Sequence, residues 1–396
     1  MLKKTIMFLI TIALTISTLT AVPANAEESL PEAASQTEQE TPPEVELTAP
    51  SALLMDYETG KVLFEKNSHD VRPCASITKV MTLCLIFEAI ESGKIDYDTI
   101  VTTSPIAASM GGSDIWLVEG EQMSVNDLIK AIVVVSANDA AVAMAECVSG
   151  TESAFVDEMN KKAKQLGMND TTFKNCNGLD EDGHVTSAYD VALMSRELMK
   201  HDAIFNYTSI WLDYIRDGAT QLVNTNKLLK TYDGITGLKT GTTSKAGACI
   251  SATAQRNGLN LISVILGAEN TADRFTDAAK LLDYGFANFS SITPQLPDEN
   301  IGTVEISKGM QTEVNVQCDI NGKFLMRKGL EENITSEIII REDIEAPVAK
   351  GQELGRITYK CDDEILGEFP ISATEDIAEI NFKDVFAMLF NSFILF

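Results

Sequence analysis

Histidine is scarce in this chain. Only His69, His184 and His201 occur in 396 residues, and none belongs to a His-Glu-x-x-His pattern, so a zinc peptidase is excluded and no metal or other cofactor is expected. Seven cysteines (Cys74, Cys84, Cys147, Cys176, Cys249, Cys318, Cys361) are an odd number without close spacing, which suggests neither a disulfide framework nor a zinc knuckle. Most lie inside apolar runs and read as small buried hydrophobes. Positive charge is also short, with 31 Lys and Arg against 58 Asp and Glu and a formal net charge of −27. Such a surface repels nucleic acid, so no nucleic-acid partner is expected. The body of the chain has no apolar run near the roughly 20 residues that span a bilayer, and no internal repeat.

The length suits one large core and one smaller domain, because a single core rarely grows past roughly 250–300 residues. Residues 1–26 read as a secretory signal. Lys3 and Lys4 precede an apolar run over 6–19, and Ala24-Asn25-Ala26 is a small-x-small cleavage site; an uncleaved anchor is the competing reading. Residues 27–47 hold seven Glu, three Pro and no basic residue, a composition that cannot bury enough surface to fold, and form an acidic linker.

Folded sequence is expected from Thr48. Segments 51–56 and 61–65 alternate as strands about a Tyr57-Glu58-Thr59-Gly60 turn, and 75–90 is apolar nearly all round, the mark of a helix buried mid-domain. Helical patterns fill 125–199. Strands return at 236–254 and 259–268 with Asn257-Gly258 as a hairpin turn, and a helix follows over 273–289. The pattern predicts an α/β (α+β) domain over 48–291: a mixed sheet flanked by helices, with a helical subdomain to one side. Residues 292–374 carry six short strands and read as a small all-β domain. The tail, 375–396, places Phe382, Val385, Phe386, Leu389, Phe390, Phe393 and Phe396 at amphipathic-helix spacing. It is too short to span a membrane but suits a membrane surface; docking on its own domain or on a partner is the alternative.

Three short motifs carry chemistry. Ser76-Ile77-Thr78-Lys79 opens the buried helix, and the i, i+3 spacing sets an amine one turn from a hydroxyl; desolvation would leave that amine neutral and able to take the hydroxyl proton. Alone it is weak, because Ser-x-x-Lys arises about once by chance in a chain this size. Ser136-Ala137-Asn138 offers a proton relay and an amide, or merely a helix cap. Lys239-Thr240-Gly241, with Thr242 following, puts a cation and hydroxyls on a strand where Gly leaves room for substrate.

In this order the three motifs resemble serine penicillin-binding proteins and class A β-lactamases. Arg72-Pro73-Cys74-Ala75, Gly111-Gly112-Ser113, Asn138-Asp139-Ala140-Ala141, Asn177-Gly178-Leu179-Asp180, Asn224-Thr225-Asn226-Lys227 and Leu281-Leu282-Asp283-Tyr284-Gly285-Phe286 resemble the low-molecular-mass D-alanyl-D-alanine carboxypeptidases of peptidase family S11. The resemblance covers residues 48–290 closely and the rest in layout. It implies a β-lactamase/transpeptidase-like fold. It also implies an exported enzyme of cell-wall biogenesis and cell shape, lying peripherally on the extracytoplasmic face of the membrane.

Ser76 would attack the terminal D-Ala-D-Ala bond of a peptidoglycan stem pentapeptide, with Lys79 as base and Ser136 passing a proton to the leaving amine. Asn138, Lys239, Thr240, Gly241 and Thr242 would bind substrate. β-Lactam antibiotics would act as covalent inhibitors on Ser76. One position departs: Asn260 stands before Leu261-Ile262-Ser263 where members commonly carry Arg, which leaves carboxylate binding around Lys239 open, with Arg256 as a substitute across the turn. Two rival readings remain. A class A β-lactamase needs a Glu base between the second and third motifs, and residues 161–179 contain none. A catalytically silent β-lactam receptor on the same fold is the other.

Overall fold

The computed structural model describes residues 45–297 and 302–394. The signal and most of the acidic linker therefore lie outside the described residues. The linker's last residues do not: Val45 and Leu47 pack on the core, Lys66 Nζ donates to Leu47 O at 2.9 Å and Lys280 Nζ to Glu46 O at 3.0 Å. These last residues dock because Val45 and Leu47 are apolar and lie next to the strand that opens the fold. Asp277, on a later helix, then caps the entering chain by accepting the backbone N–H of Thr48 at 2.9 Å and of Ala49 at 2.8 Å.

Five strands form the central sheet, in the spatial order Val62–Lys66, Ser51–Asp56, Leu259–Ala268, Gly247–Arg256, Ile235–Thr243. The sequence pattern suggested a mixed sheet, but every pairing is antiparallel. The physical reason is connectivity: three consecutive strands are joined by tight turns, which permit only antiparallel neighbours. The Asn257-Gly258 turn has φ of 50° and 80°, the left-handed pair that matches strand twist.

Successive side chains of a strand face opposite sides. Leu53, Met55, Ile262, Val264 and Leu266 enter one apolar core, while Ala52, Leu54, Leu261 and Ile265 enter another behind the sheet. Helix Thr271–Asn288 covers the rear face, capped by Asn270 and seated through Phe275, Leu281, Leu282 and Phe286. On the front lies helix Lys79–Glu91, buried on nearly every side and surrounded by helices Val125–Val134, Asn138–Ser149, Glu152–Gln165 and Ala188–Leu198. Three of these start on a Ser or Thr hydroxyl that accepts a first-turn N–H, as composition dictates. Residues between Gln165 and Ala188 are irregular rather than helical, because Asn, Asp and Gly there favour turns.

The C-terminal sheet runs Thr303–Glu305, Glu313–Cys318, Glu364–Ala373, Glu353–Cys361, Ile334–Ile340. Strand Phe324–Arg327 leaves it to pair with Phe289–Ile292, which the sequence pattern had divided between a helix end and the following module. Lys323 Nζ also donates to Gly258 O at 3.1 Å and Lys328 Nζ to Phe286 O at 2.6 Å, fastening this sheet to the larger domain. Helix Phe382–Ile394 follows, leaving Phe382, Phe386, Leu389 and Phe390 exposed. All seven cysteines are free, and five are buried.

Helix Thr271–Asn288 approaches the sheet through Gly285, where a Cβ would stand 2.5 Å from Leu261 Cδ1 and 2.9 Å from Leu54 Cδ2. Gly285→Val should cost about 1–3 kcal/mol by overpacking, read as a lower urea midpoint; an unchanged midpoint would contradict this contact.

Candidate active site

Ser76 lies in a single 3₁₀ turn, Ala75–Thr78, that leads straight into helix Lys79–Glu91. The turn begins from Ala75 in left-handed conformation, φ 51°, which is uncommon for a residue with a Cβ. Two glycines press on it. A Cβ at Gly178 would overlap the Ala75 carbonyl and reach 2.8 Å from Ser76 N, and one at Gly241 would lie 2.9 Å from both Cys74 O and Ser76 N. Backbone from two distant segments thus packs against the nucleophile's own backbone, and only glycine permits that approach.

Lys79 is fully buried. Its Nζ reaches Ser76 Oγ at 3.1 Å, Asn138 Oδ1 at 2.6 Å and the Asn177 carbonyl at 2.6 Å. Burial pushes the amine's pKa down to about 7, against the weaker opposing influence of Cys176 and Asp139. Asn138 is held from its other end by Nδ2 donating to Gly111 O at 2.7 Å, and its backbone N–H donates to Ser113 O at 2.7 Å. The buried Asp139 carboxylate accepts the N–H groups of Ile115 and Leu117, so the second motif organises the 111–117 loop. Ser136 sits just before this helix with φ 65°; it is 4 % exposed and its Oγ has no hydrogen-bond partner among the described residues.

The third motif lies on strand Ile235–Thr243 at the sheet edge beside the nucleophile turn. Lys239 is 2 % exposed, and among the described residues no carboxylate pairs with it; Nζ donates only to Thr240 O at 3.0 Å. Burial, with Lys79 and Arg274 adding like charge, holds its pKa well below the ordinary lysine range. Thr240 Oγ1 and Thr225 Oγ1 are 2.7 Å apart, and Thr242 is exposed. Asn260, by contrast, is remote from the motif, with Nδ2 directed to Glu58 at 3.4 Å. Arg256 is occupied by Asp233 O and the Tyr232 ring, so it does not substitute. The guanidinium at the site is Arg274, whose Nη1 donates to Thr242 Oγ1 at 2.7 Å and Gly241 O at 2.9 Å.

The structure therefore gathers Ser76, Lys79, Asn138, Lys239, Thr240, Gly241 and Thr242 around one turn, with Ser136 two residues from Asn138. Sequence reasoning missed Arg274, which carries no local motif, and the Asn177 carbonyl, a backbone atom invisible to residue type. Among the described residues no group of three or more His, Cys, Asp or Glu could hold a metal ion.

A neutral amine is needed to accept the Ser76 proton, so acylation of Ser76 by a labelled penicillin should rise with pH along a limb centred at about 7. Lys79→Arg, charged at all working pH, should lose the limb and at least about 100-fold in rate; a wild-type profile flat through this range would contradict the assignment.

Two family models match the chain. One, described as D-alanyl-D-alanine carboxypeptidase, matches residues 35–270, and the C-terminal domain of penicillin-binding protein 5 matches residues 289–379. The chain is 43% identical over 338 residues to the D-alanyl-D-alanine carboxypeptidase DacF of Bacillus subtilis, covering 84% of this chain and 87% of that protein. The crystal structure of penicillin binding protein 5 from Haemophilus influenzae superposes with a TM-score of 0.74 at 31% identity, covering 86% of this chain and 99% of that one. Penicillin-binding protein D2 of Listeria monocytogenes, solved in an ampicillin-bound form, is 35% identical with a TM-score of 0.57, over 62% of this chain and 100% of its own. With a serine and a charge-depleted lysine at the head of its central helix, the chain belongs to the D-alanyl-D-alanine carboxypeptidase family, the penicillin-binding serine peptidases of family S11.

Proposed function

We propose that this chain removes the terminal D-Ala from peptidoglycan stem pentapeptides through an acyl-enzyme on Ser76. The observation that carries the reading is the buried Lys79 amine, whose pKa of about 7 leaves a large neutral fraction at pH 7, 3.1 Å from the Ser76 hydroxyl. Lys79 takes the hydroxyl proton as Oγ attacks the carbonyl of the D-Ala-D-Ala bond. The backbone N–H groups of Ser76 and Thr242 hold the oxyanion. Ser136, whose hydroxyl has no competing bond among the described residues, relays the proton held by Lys79 to the leaving amine and is itself reprotonated by Lys79, and D-Ala departs. Asn138 holds the peptide while tethering Lys79. Lys239, Thr240 and Thr242, with Arg274 behind them, receive the terminal carboxylate: the buried Arg274 guanidinium has no carboxylate partner among the described residues, and an arriving carboxylate would raise the depressed proton affinity of Lys239. Water then cleaves the ester and restores Ser76. Penicillin acylates the same oxygen.

The lactamase alternative lacks its base: the group beside Lys79 from the 166–187 segment is the Asn177 carbonyl rather than a Glu. On wild type, D-Ala should be released from a peptide ending in D-Ala-D-Ala, and Ser76→Ala should lose at least about a thousandfold in kcat. Absence of release by wild type would favour a silent receptor, and rapid penicillin turnover a lactamase.

We further assign residues 48–291 to catalysis, 292–374 to a β-rich C-terminal domain and 375–396 to peripheral attachment on the extracytoplasmic face of the membrane. No described helix is long and apolar enough to cross a membrane. Helix Phe382–Ile394 instead carries Phe382, Phe386, Leu389 and Phe390 on an exposed face, 55 to 83 % accessible. The acidic body makes zwitterionic vesicles the better probe. The chain from residue 27 should sediment with them, and the same chain ending at 374 should stay in solution; co-sedimentation of both would remove the anchor.

A further inference from the structure

The peptide linking Ala75 to Ser76 is held by its oxygen. That oxygen accepts the Thr78 hydroxyl at 2.9 Å, and Thr78 Oγ1 in turn lies 2.7 Å from Nε2 of His184. His184 comes from the irregular segment ahead of helix Ala188–Leu198, is 4 % exposed, and faces the Phe173 ring edge-on. Backbone pairing of Thr172 with Val185 and of Arg72 with Thr186 secures the segment on both sides.

The tautomer follows from the partners. Nδ1 accepts the Lys174 backbone N–H at 3.1 Å, so it carries no proton, and Nε2 must be the donor. Thr78, receiving that N–H, points its own hydroxyl hydrogen at Ala75 O. A directed chain results: Lys174 N–H to His184, His184 N–H to Thr78, Thr78 O–H to the Ala75 carbonyl. Burial pushes the His184 pKa down to about 4, despite Glu181 and Asp180 pulling it up, so the ring is neutral and the chain intact at neutral pH.

A trans peptide is planar, with C=O and N–H pointing in opposite directions. Whatever fixes the Ala75 oxygen therefore aims the Ser76 N–H on the other edge of the same plane. We infer that His184 is a positioning residue for the oxyanion hole: acting through Thr78, it sets the tilt of the Ala75–Ser76 peptide and hence the bond from Ser76 N–H to the developing oxyanion. This rests on the acyl-transfer reading above. It is separate from proton transfer, because the hydrogen bonds of the His184 ring run to Thr78 and Lys174 and none to Ser76 or Lys79. Gly178 supplies the complementary condition by leaving space for the Ala75 oxygen.

Three variants test it in the chain from residue 27. His184→Phe keeps the ring and removes both nitrogens, Thr78→Val keeps the shape and removes the hydroxyl, and His184→Gln retains one donor and one acceptor. The readouts are the penicillin acylation rate constant, the prior binding constant, and the infrared stretch of the isotope-labelled acyl carbonyl. Phe and Val should slow acylation about 10- to 100-fold with binding unchanged and move the carbonyl band to higher wavenumber, while Gln stays within about threefold of wild type. A folded Phe or Val variant with wild-type rate and band would overturn the inference, as would slowed acylation with an unmoved band, which assigns the loss to packing. Should the Phe variant not fold, the Val and Gln variants decide. A wild type that forms no adduct would instead sink the acyl-transfer reading beneath it.

Discussion

The rest of the molecule depends on satisfying one buried amine. An ammonium taken out of water is costly unless acceptors surround it, and the acceptors for Lys79 come from three places: its own turn, the Asn138 helix and the irregular segment at Asn177. Because those elements are far apart in the chain, the helix cluster must close before the lysine is paired. The same closure removes solvent and lowers the proton affinity of the amine. Folding and the lowering of this amine's proton affinity are therefore one event, and each hydrogen bond that holds the fold at this point also bears on that affinity.

The opposite wall obeys a different constraint. Strand Ile235–Thr243 belongs to a sheet packed on both faces, so its position is set by two apolar cores and by helix Thr271–Asn288 behind it. That rigid edge presents the buried amine of Lys239 and, through Arg274, a buried guanidinium. In a chain of net charge −27, a guanidinium buried with no carboxylate partner among the described residues is a group that favours an anion beside it. Gly241 then lets the edge approach the Ser76 backbone to within contact distance, joining the rigid wall to the helical one.

Much of the fold was legible because period and turn chemistry are local. The strand at Ser51–Asp56, the hairpin at Asn257-Gly258, the rear helix and the short strands after Thr303 all follow from alternation, left-handed turn residues and apolar spacing. The departures have a common source. The pairing of Ser51–Asp56 with Leu259–Ala268, the pairing of Phe289–Ile292 with Phe324–Arg327, and the docking of Val45 and Leu47 are decided by partners distant in sequence. Local propensity carries no record of them.

By itself, the order of residues determined which groups could do chemistry: a hydroxyl one helical turn from an amine, a polar pair after an apolar run, and a cation beside a glycine on a strand. It determined too that the surface would be acidic and that most of the cysteines would be buried. Only the tertiary structure decided how those groups act, since proton affinity depends on burial and on neighbours that the chain brings in from elsewhere. It placed Arg274, rather than Asn260 or Arg256, beside the Lys239-Thr240-Gly241 strand, because a guanidinium reaches the strand from the helix behind it. It also enlisted backbone atoms, the Asn177 carbonyl and the Ala75–Ser76 peptide, whose direction is a property of the folded path and not of any residue's name.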